Sequence, residues 1–142
     1  MMQIPKMQVL ISPVSATTGA TVDGYADLNG FDFAIVHVVM SGVVAPSNKP
    51  GALTLRHGST TARTNGATFS GCKSGTDYTI PDAVTGANSY MFALDWRGRA
   101  RYLTLAVSPR TTQIISAIAM LYRADEMPDN STEAGVQLLH VA

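Results

Sequence analysis

The longest strand-forming part of the chain is residues 89–125, SYMFALDWRGRARYLTLAVSPRTTQIISAIAMLYRAD. Its pattern predicts three long strands joined by hairpin-like turns at residues 97–99 and 109–111, where Gly and Pro allow the chain to reverse. Residues 113–123 also match helical spacing, with Ile114, Ile118 and Leu121 on one side. Because β-branched residues are frequent there and no helix cap is present, we expect a strand instead.

Shorter strands are predicted before this segment, in runs that end at Gly, Pro or polar turns. They cover residues 7–12, 19–25, 31–40, 52–57, 67–72 and 76–80. The first of them is expected at a sheet edge, since Pro13 closes it. With turn signals every 8–15 residues and no convincing helix, the pattern predicts an all-β fold. We expect an antiparallel β-sandwich of the jelly-roll type with eight or nine short strands.

Residues 31–40, FDFAIVHVVM, predict a strand that is apolar on both faces and therefore covered on both. Phe33 and Ile35 share one face, and Val36 and Val38 share the other. Over the whole chain 46% of residues are hydrophobic and 14% are charged, against about 25% charged in an average domain. So little charge leaves few polar groups for the surface. We expect apolar surface to contact another chain in an oligomer.

Two parts of unequal size are predicted. Residues 1–125 form the sandwich domain, which starts with a loose leader at residues 1–8, and residues 126–142 form a C-terminal arm. The arm, EMPDNSTEAGVQLLHVA, opens with a polar hinge and ends in an apolar patch. It is expected to dock either on its own domain or on a neighbouring subunit. The predicted partner contacts in it are Val136, Leu138 and Leu139.

Charge and cysteine content exclude several classes of partner. Ten basic and ten acidic residues give a net charge of zero, which argues against a non-specific nucleic-acid binder. The single cysteine, Cys72, cannot form an internal disulfide, as suits assembly in a reducing cytoplasm. The start, MMQIPKMQVLISPV, has no secretory signal pattern, and no apolar run approaches the ~20 residues of a membrane helix. We expect a soluble protein with no nucleic-acid or membrane partner.

Residues that carry chemistry are scattered. His37, His57 and His140 lie in different elements without metal-ligand spacing, and no GxSxG motif or Gly-rich phosphate loop is present. Asp77 and Asp95 border predicted strands, where Asp commonly supports turns. The sequence therefore predicts no metal, no cofactor and no enzymatic activity. A hydrolase with an unrecognised site stays as an alternative.

One cluster stands out around the first turn of residues 89–125. Arg97, Arg99 and Arg101 alternate, so Arg99 and Arg101 share a face if the outgoing strand includes them. Guanidinium groups bind carboxylates with two parallel hydrogen bonds, so the cluster is a candidate docking site for an acidic surface or phosphate. In the alternative interpretation the arginines pair with Asp95 or the acidic tail. Trp96 is either an exposed partner contact or closes one end of the core.

Three segments resemble small virion proteins of tailed bacteriophages that are encoded beside the major capsid protein. These segments are GTDYTIP (75–81), LDWRGRARYLTL (94–105) and RADEMP (123–128), and the resemblance extends from about residue 30 onward. It implies a head decoration or cement protein, a small β-rich subunit that assembles as a homotrimer on the capsid surface. Such a subunit binds the major capsid protein, bridges capsomers and stiffens the shell. No catalytic residue is implied.

A second function is compatible with the same fold. A receptor- or glycan-binding module of a phage fibre or spike uses exposed aromatic side chains on the loops of a β-sandwich. The candidates for that role are Tyr78, Tyr90 and Trp96.

Overall fold

The structure, a computed structural model, describes residues 5–42, 46–62, 66–81, 87–123 and 138–141. Within them the chain forms nine β-strands and one short 3-10 turn, Pro46–Asn48. The strands are β1 (Lys6–Ala16), β2 (Val22–Asp27), β3 (Phe33–Ser41), β4 (Ala52–Gly58), β5 (Ala67–Lys73), β6 (Ala87–Asp95), β7 (Tyr102–Ser108), β8 (Gln113–Tyr122) and β9 (Leu138–Val141). No helix in these ranges has the length and hydropathy that crossing a bilayer requires.

The first eight strands pair in nested order. β1 pairs with β8, β2 with β7, β3 with β6 and β4 with β5, and all four pairs are antiparallel. The pairs β3–β8 and β4–β7 join them into a sheet of order β1-β8-β3-β6-β9 and a sheet of order β2-β7-β4-β5. A nested ribbon of strand pairs wrapped into two sheets is a jelly roll. The predicted all-β antiparallel sandwich is confirmed, and β1 lies at a sheet edge as expected.

The ninth strand differs from the others because it pairs in parallel. β9 lies beside β6, with Tyr90 opposite Leu138 and Ala93 opposite Val141. Residues 138–141 of the predicted arm therefore belong to the five-stranded sheet of the same chain. Val136, with the remainder of residues 126–142, lies outside the described residues.

Two predictions are wrong, one about the turns after β6 and β7 and one about a strand at residues 76–80. The turns that follow β6 and β7 do not form hairpins, because β6 and β8 belong to the five-stranded sheet and β7 to the other. Residues 76–80 form a turn and not a strand, with a single bridge between Ser74 and Tyr78. The Asp77 carboxylate accepts a hydrogen bond from the Lys73 amide at 2.8 Å and stabilises that turn. Residues 113–122 are a strand and not a helix, as predicted.

The core lies between the sheets, where alternate residues of each strand point inward. The five-stranded sheet supplies Val36, Val38, Met40, Tyr90, Phe92, Leu94, Ile115 and Leu121, and the other sheet supplies Leu53, Leu55, Cys72, Leu103, Leu105 and Val107. All of these are almost completely inaccessible to solvent. The single thiol is thus buried, and burial raises the pKa of Cys72 to about 12.

The two sheets approach each other closely at Gly24. A side-chain carbon there would overlap the backbone carbonyl of Leu10 in β1. Only glycine permits this approach, because it has no Cβ. Gly24 thus holds β2 directly against β1 and closes one edge of the sandwich.

Candidate functional site

The five-stranded sheet presents an apolar surface on the side that points away from the core. The strand register aligns the outward side chains of β1, β8, β3 and β6 in rows. We call this surface the apolar face; its residues are Met7, Val9, Phe33, Ile35, His37, Val39, Met91, Ala93, Ile114, Ser116, Ile118 and Met120. Ten of these twelve are hydrophobic. The outward residues of β3 and β8 that the structure describes include no charged side chain.

Solvent reaches much of the apolar face. Val9 is 57% exposed, Ile114 is 55% exposed and Val39, on the central strand β3, is 41% exposed. Phe33, Ile35, Met91 and Ala93 of the same face are buried. The expectation that β3 is covered on both sides therefore holds for Phe33 and Ile35 but is wrong for Val39.

His37 is the one histidine among the described residues of the apolar face, and its side chain is half-buried. It lies between Ile118 of β8 and Met91 of β6, and its Nε2 has no hydrogen-bond partner among the described residues. Burial lowers the pKa of His37 because the charged imidazolium loses hydration. The apolar face thus disfavours the charged form of this histidine.

The opposite outer surface, on the four-stranded sheet, has different chemistry. Its outward side chains alternate with the core residues of β2, β4 and β7. We call it the polar face; its residues are Asp23, Tyr25, Asp27, Thr54, Arg56, Tyr102, Thr104, Ala106 and Ser108.

A cleft of about 520 Å³ opens beside the polar face, where β1 passes β2. Gln8, Asp23 and Tyr25 line it, together with Thr61 of the loop after β4 and Thr104 of β7. This cleft is not predicted by the sequence. The alternation of Asp23, Tyr25 and Asp27 is the signal that indicates outward positions, but which loops meet them is a tertiary property.

Arg97, the first arginine of the predicted cluster, contacts groups of its own chain. Its Nε and Nη2 donate hydrogen bonds to the two carboxylate oxygens of Asp95 at 2.9 and 2.7 Å. The guanidinium also lies 5.0 Å from the centre of the Phe33 ring. These hydrogen bonds lower the pKa of Asp95.

Arg101 forms the same kind of pair with a carboxylate distant in sequence. Its Nε and Nη2 donate to Asp27 at 2.9 and 2.7 Å, and the pair lowers the pKa of Asp27 to about 2. The outgoing strand begins only at Tyr102, so Arg99 and Arg101 precede it and the condition under which they would share a strand face is not met. Arg99 is exposed. The pKa of His57 is lowered mainly by burial and, to a smaller extent, by the positive charge of Arg99. The three residues stay predicted partner contacts.

Of the three aromatic residues proposed as exposed contacts, Trp96 and Tyr90 are buried and Tyr78 is half-buried. Trp96 is 4% exposed, donates its indole N–H to the Ala100 carbonyl at 2.9 Å and packs edge-on against His57. Tyr90 is buried in the core, and the Tyr78 hydroxyl donates to the Leu53 carbonyl at 2.6 Å. Trp96 thus closes one end of the core, which corrects its assignment as a partner contact.

The predicted contacts in the arm are only partly described. The backbone of Leu138 and Leu139 pairs with Tyr90 and Met91 of β6, and Val136 lies outside the described residues. Among the residues that the structure does describe, no three His, Cys, Asp or Glu side chains cluster as metal ligands would.

No protein-family model matches the chain, and no curated protein matches its sequence. Among solved structures it is similar to the SPBc2 prophage-derived protein YomS, at 16% identity and a TM-score of 0.42 over 84% of this chain and 97% of that one. It is also similar to the STIV MCP, a viral major capsid protein, at 14% identity and a TM-score of 0.42. That match covers 84% of this chain and 48% of the other, so the chain spans about half its length.

A third similar structure is the GH115 glucuronidase BtGH115A, at 10% identity and a TM-score of 0.43 over 84% of this chain and 16% of the enzyme. Identities under 25% and TM-scores below 0.5 carry no argument about function. The described residues therefore have to support any functional proposal themselves.

Proposed function

We propose that this chain is a non-catalytic structural subunit of a phage virion. In this proposal it binds the outside of the capsid as a decoration or cement protein and self-associates as a homotrimer. The observation that carries the proposal is the apolar face, a solvent-accessible hydrophobic surface without a charged side chain on its two central strands. A sheet surface of this kind is typical of an interaction site and not of a free monomer surface.

The size of the apolar face approaches that of a stable contact. Its four strands, β1, β8, β3 and β6, contain nine to eleven residues each, and at a strand spacing of about 4.8 Å they give a surface of roughly 600 Å². A standard interface buries about 800 Å² on each partner.

A second copy of the same chain fits this surface best. Asp95 and Arg97, at its rim, already form an ion pair with each other, so another surface of a neighbouring copy can pack on the apolar face, as in a trimer, without leaving this charge unpaired. A charged partner would gain nothing from β3 and β8, which offer no described group to pair with it. The resemblance to phage virion proteins supplies the capsid as the place where the oligomer acts.

Two lysines placed in the apolar face test the self-association. In Val39→Lys/Ile114→Lys both lysines replace exposed hydrophobic side chains, so the fold is retained. Like charges brought together in the interface should weaken association by several kcal/mol. The control, Ala67→Lys/Thr76→Lys, adds the same charge at exposed positions outside the apolar face. Analytical ultracentrifugation at micromolar concentration should give a trimer for wild type and control and a monomer for the first variant. A monomeric wild-type protein would overturn the self-association.

The capsid role needs the particle itself. Electron cryo-microscopy of virions that carry this gene should show density for the chain on the outer lattice of the head. Particles with the gene deleted should release DNA at a lower temperature. Density at a fibre tip, or an unchanged release temperature together with absence from the head, would reject the cement function.

A further inference from the structure

The cleft between β1 and the polar face has the dimensions and lining of a small-molecule site. Its volume of about 520 Å³ lies within the range of ~300–1,000 Å³ that ligand pockets occupy. Among the residues that the structure describes, the lining contains one carboxylate, Asp23, one amide, Gln8, and the hydroxyls of Thr61 and Thr104. No Lys, Arg or His is among the nine described lining residues. An anionic ligand would therefore find no counter-charge in this lining.

Such a lining suits a ligand that carries several neutral hydroxyl groups. A carboxylate accepts hydrogen bonds from two neighbouring hydroxyls, whereas an amide both donates and accepts. Thr hydroxyls add groups that can act in either direction. A sugar ring offers this alternation of donors and acceptors around its edge.

Tyr25 adds a flat apolar surface to the cleft. It is 49% exposed, which makes it the most exposed large aromatic side chain among the described residues. Its ring meets the Tyr102 ring edge-on, with centroids 6.4 Å apart. The Arg101 guanidinium, fixed by Asp27, lies 5.1 Å from the centre of the Tyr102 ring. The Tyr25 ring is thus supported from behind and presents a face on which the C–H groups of a sugar can stack.

Thr104 gives a second and independent indication of a ligand. Its side chain lies opposite Tyr25 in the register and is 3% exposed. Its Oγ1 is buried and has no hydrogen-bond partner among the described residues. A buried hydroxyl without a partner is unfavourable by about 1–3 kcal/mol, and a ligand oxygen in the cleft would remove that cost.

From these observations we propose that the cleft lined by Gln8, Asp23, Tyr25, Thr61 and Thr104 binds a neutral carbohydrate. The site holds one or two sugar rings, with Tyr25 under a ring face and Asp23 on its hydroxyls. Gly24 fixes the cleft by holding β2 against β1, so the walls are formed before the ligand arrives. The site is separate from the apolar face except for Val9 at its edge, and it does not depend on the proposed capsid role.

Titration with free sugars followed by NMR tests the site on the full chain. Glucose, galactose, mannose and N-acetylglucosamine are the neutral probes, and glucose 6-phosphate is the anionic one. We expect a neutral sugar to shift the amide signals of Asp23, Gly24 and Tyr25, with millimolar affinity. Tyr25→Ala and Asp23→Asn should each weaken binding about tenfold, the loss of about 1.4 kcal/mol of contact.

Two further variants separate binding from folding. Thr104→Val keeps the shape of the side chain and removes a buried hydroxyl that has no described partner, so thermal stability should stay unchanged or rise while sugar affinity falls at least threefold. Thr68→Val, on β5 outside the cleft, should leave both unchanged. The lysine variant of the apolar face should bind sugar as wild type does. The proposal is overturned if no neutral sugar shifts these amides at ~50 mM, if only glucose 6-phosphate does, or if Tyr25→Ala binds as wild type.

Discussion

The apolar face and the polar face are the two outer surfaces of one sandwich, yet their chemistry is opposite. Both are built from every second residue of their strands, and both cover the same core from opposite sides. Val39 and Ile114 are exposed on the first, where Asp23 and Arg56 occupy the second. Each face also contains one buried polar atom without a described partner, Nε2 of His37 and Oγ1 of Thr104.

The difference between the two faces shows that the inward and outward positions of a strand answer to separate requirements. Inward residues are hydrophobic because the core requires it, whereas outward residues are free to serve another purpose. On β2 and β7 the outward positions are polar, as solvent demands. On β3 and β8 they are hydrophobic, which a monomer in water does not need. Folding of the single chain therefore does not account for the hydrophobic residues of the apolar face.

The largest expected effect on stability comes from a substitution at Gly24, where β2 lies against β1 and the two sheets, with their two outer faces, are joined. Gly24→Ala places a methyl group in the Leu10 carbonyl and should lower the free energy of unfolding by about 3 kcal/mol or more. Gly51→Ala is the control, since its new Cβ would lie 3.5 Å from the nearest atom, an ordinary contact. Urea denaturation measures both. Equal stability of the two variants would mean that β1 and β2 do not meet as described.

A matched pair of valines on β3 measures the two sides of the same strand. Val36 is fully buried in the core, so Val36→Ala should lower the free energy of unfolding by about 2–3 kcal/mol, measured by urea denaturation of dilute protein. Val39 is 41% exposed on the apolar face, and Val39→Ala should cost less than about 1 kcal/mol. If the face is buried by a second copy, the cost of Val39→Ala should rise with protein concentration and that of Val36→Ala should not. Equal costs in dilute protein would contradict the assigned faces.

A smaller effect is expected from pH, through His37. Its folded pKa lies below the ordinary value of 6.5, so between these two values the unfolded chain binds more protons than the folded chain. Stability from His37 is therefore complete above about pH 6.5 and falls as the pH drops through its folded pKa. Its described outward neighbours on β6 and β8, Met91 and Ile118, do not titrate.

Urea denaturation at about pH 7.5 and about pH 5.5 checks this dependence. His37→Gln should lose less stability on acidification than wild type does. His57 has a pKa lowered in the same direction and continues to contribute in both proteins. An identical loss in wild type and variant would show that His37 is solvated in solution.

The fold class was predictable because it depends on local properties. Alternating β-branched residues and the positions of Gly and Pro indicate strands whatever the chain does elsewhere. The connections were not, since nothing local in residues 97–101 distinguishes a hairpin from a turn that crosses to the other sheet. Residues 76–80 were mistaken for a strand because Tyr78 and Ile80 favour one, whereas Gly75 at φ 76° and the Asp77 carboxylate form a turn.

The sites depended on contacts between distant residues, and there the sequence was less informative. Arg101 pairs with Asp27, which is 74 positions away, so its partner cannot be deduced from its neighbours in the chain. Exposure of an aromatic residue also depends on what packs over it. Trp96, at the end of β6, is covered, whereas Tyr25, within β2, is not. The outward row of β3, by contrast, is visible in the sequence as hydrophobic residues from 33 to 40 that only His37 interrupts.

The nested pairing of the strands has a consequence for timing. Lys6 at one end of the ribbon pairs with Leu121, so the outermost pair forms only after residue 121 has left the ribosome. Such distant pairing is slow, because a long loop must close before any contact forms. The apolar face contains outward residues of both β1 and β8. It is therefore incomplete until this last pair has formed, and the self-association proposed above would have to follow folding.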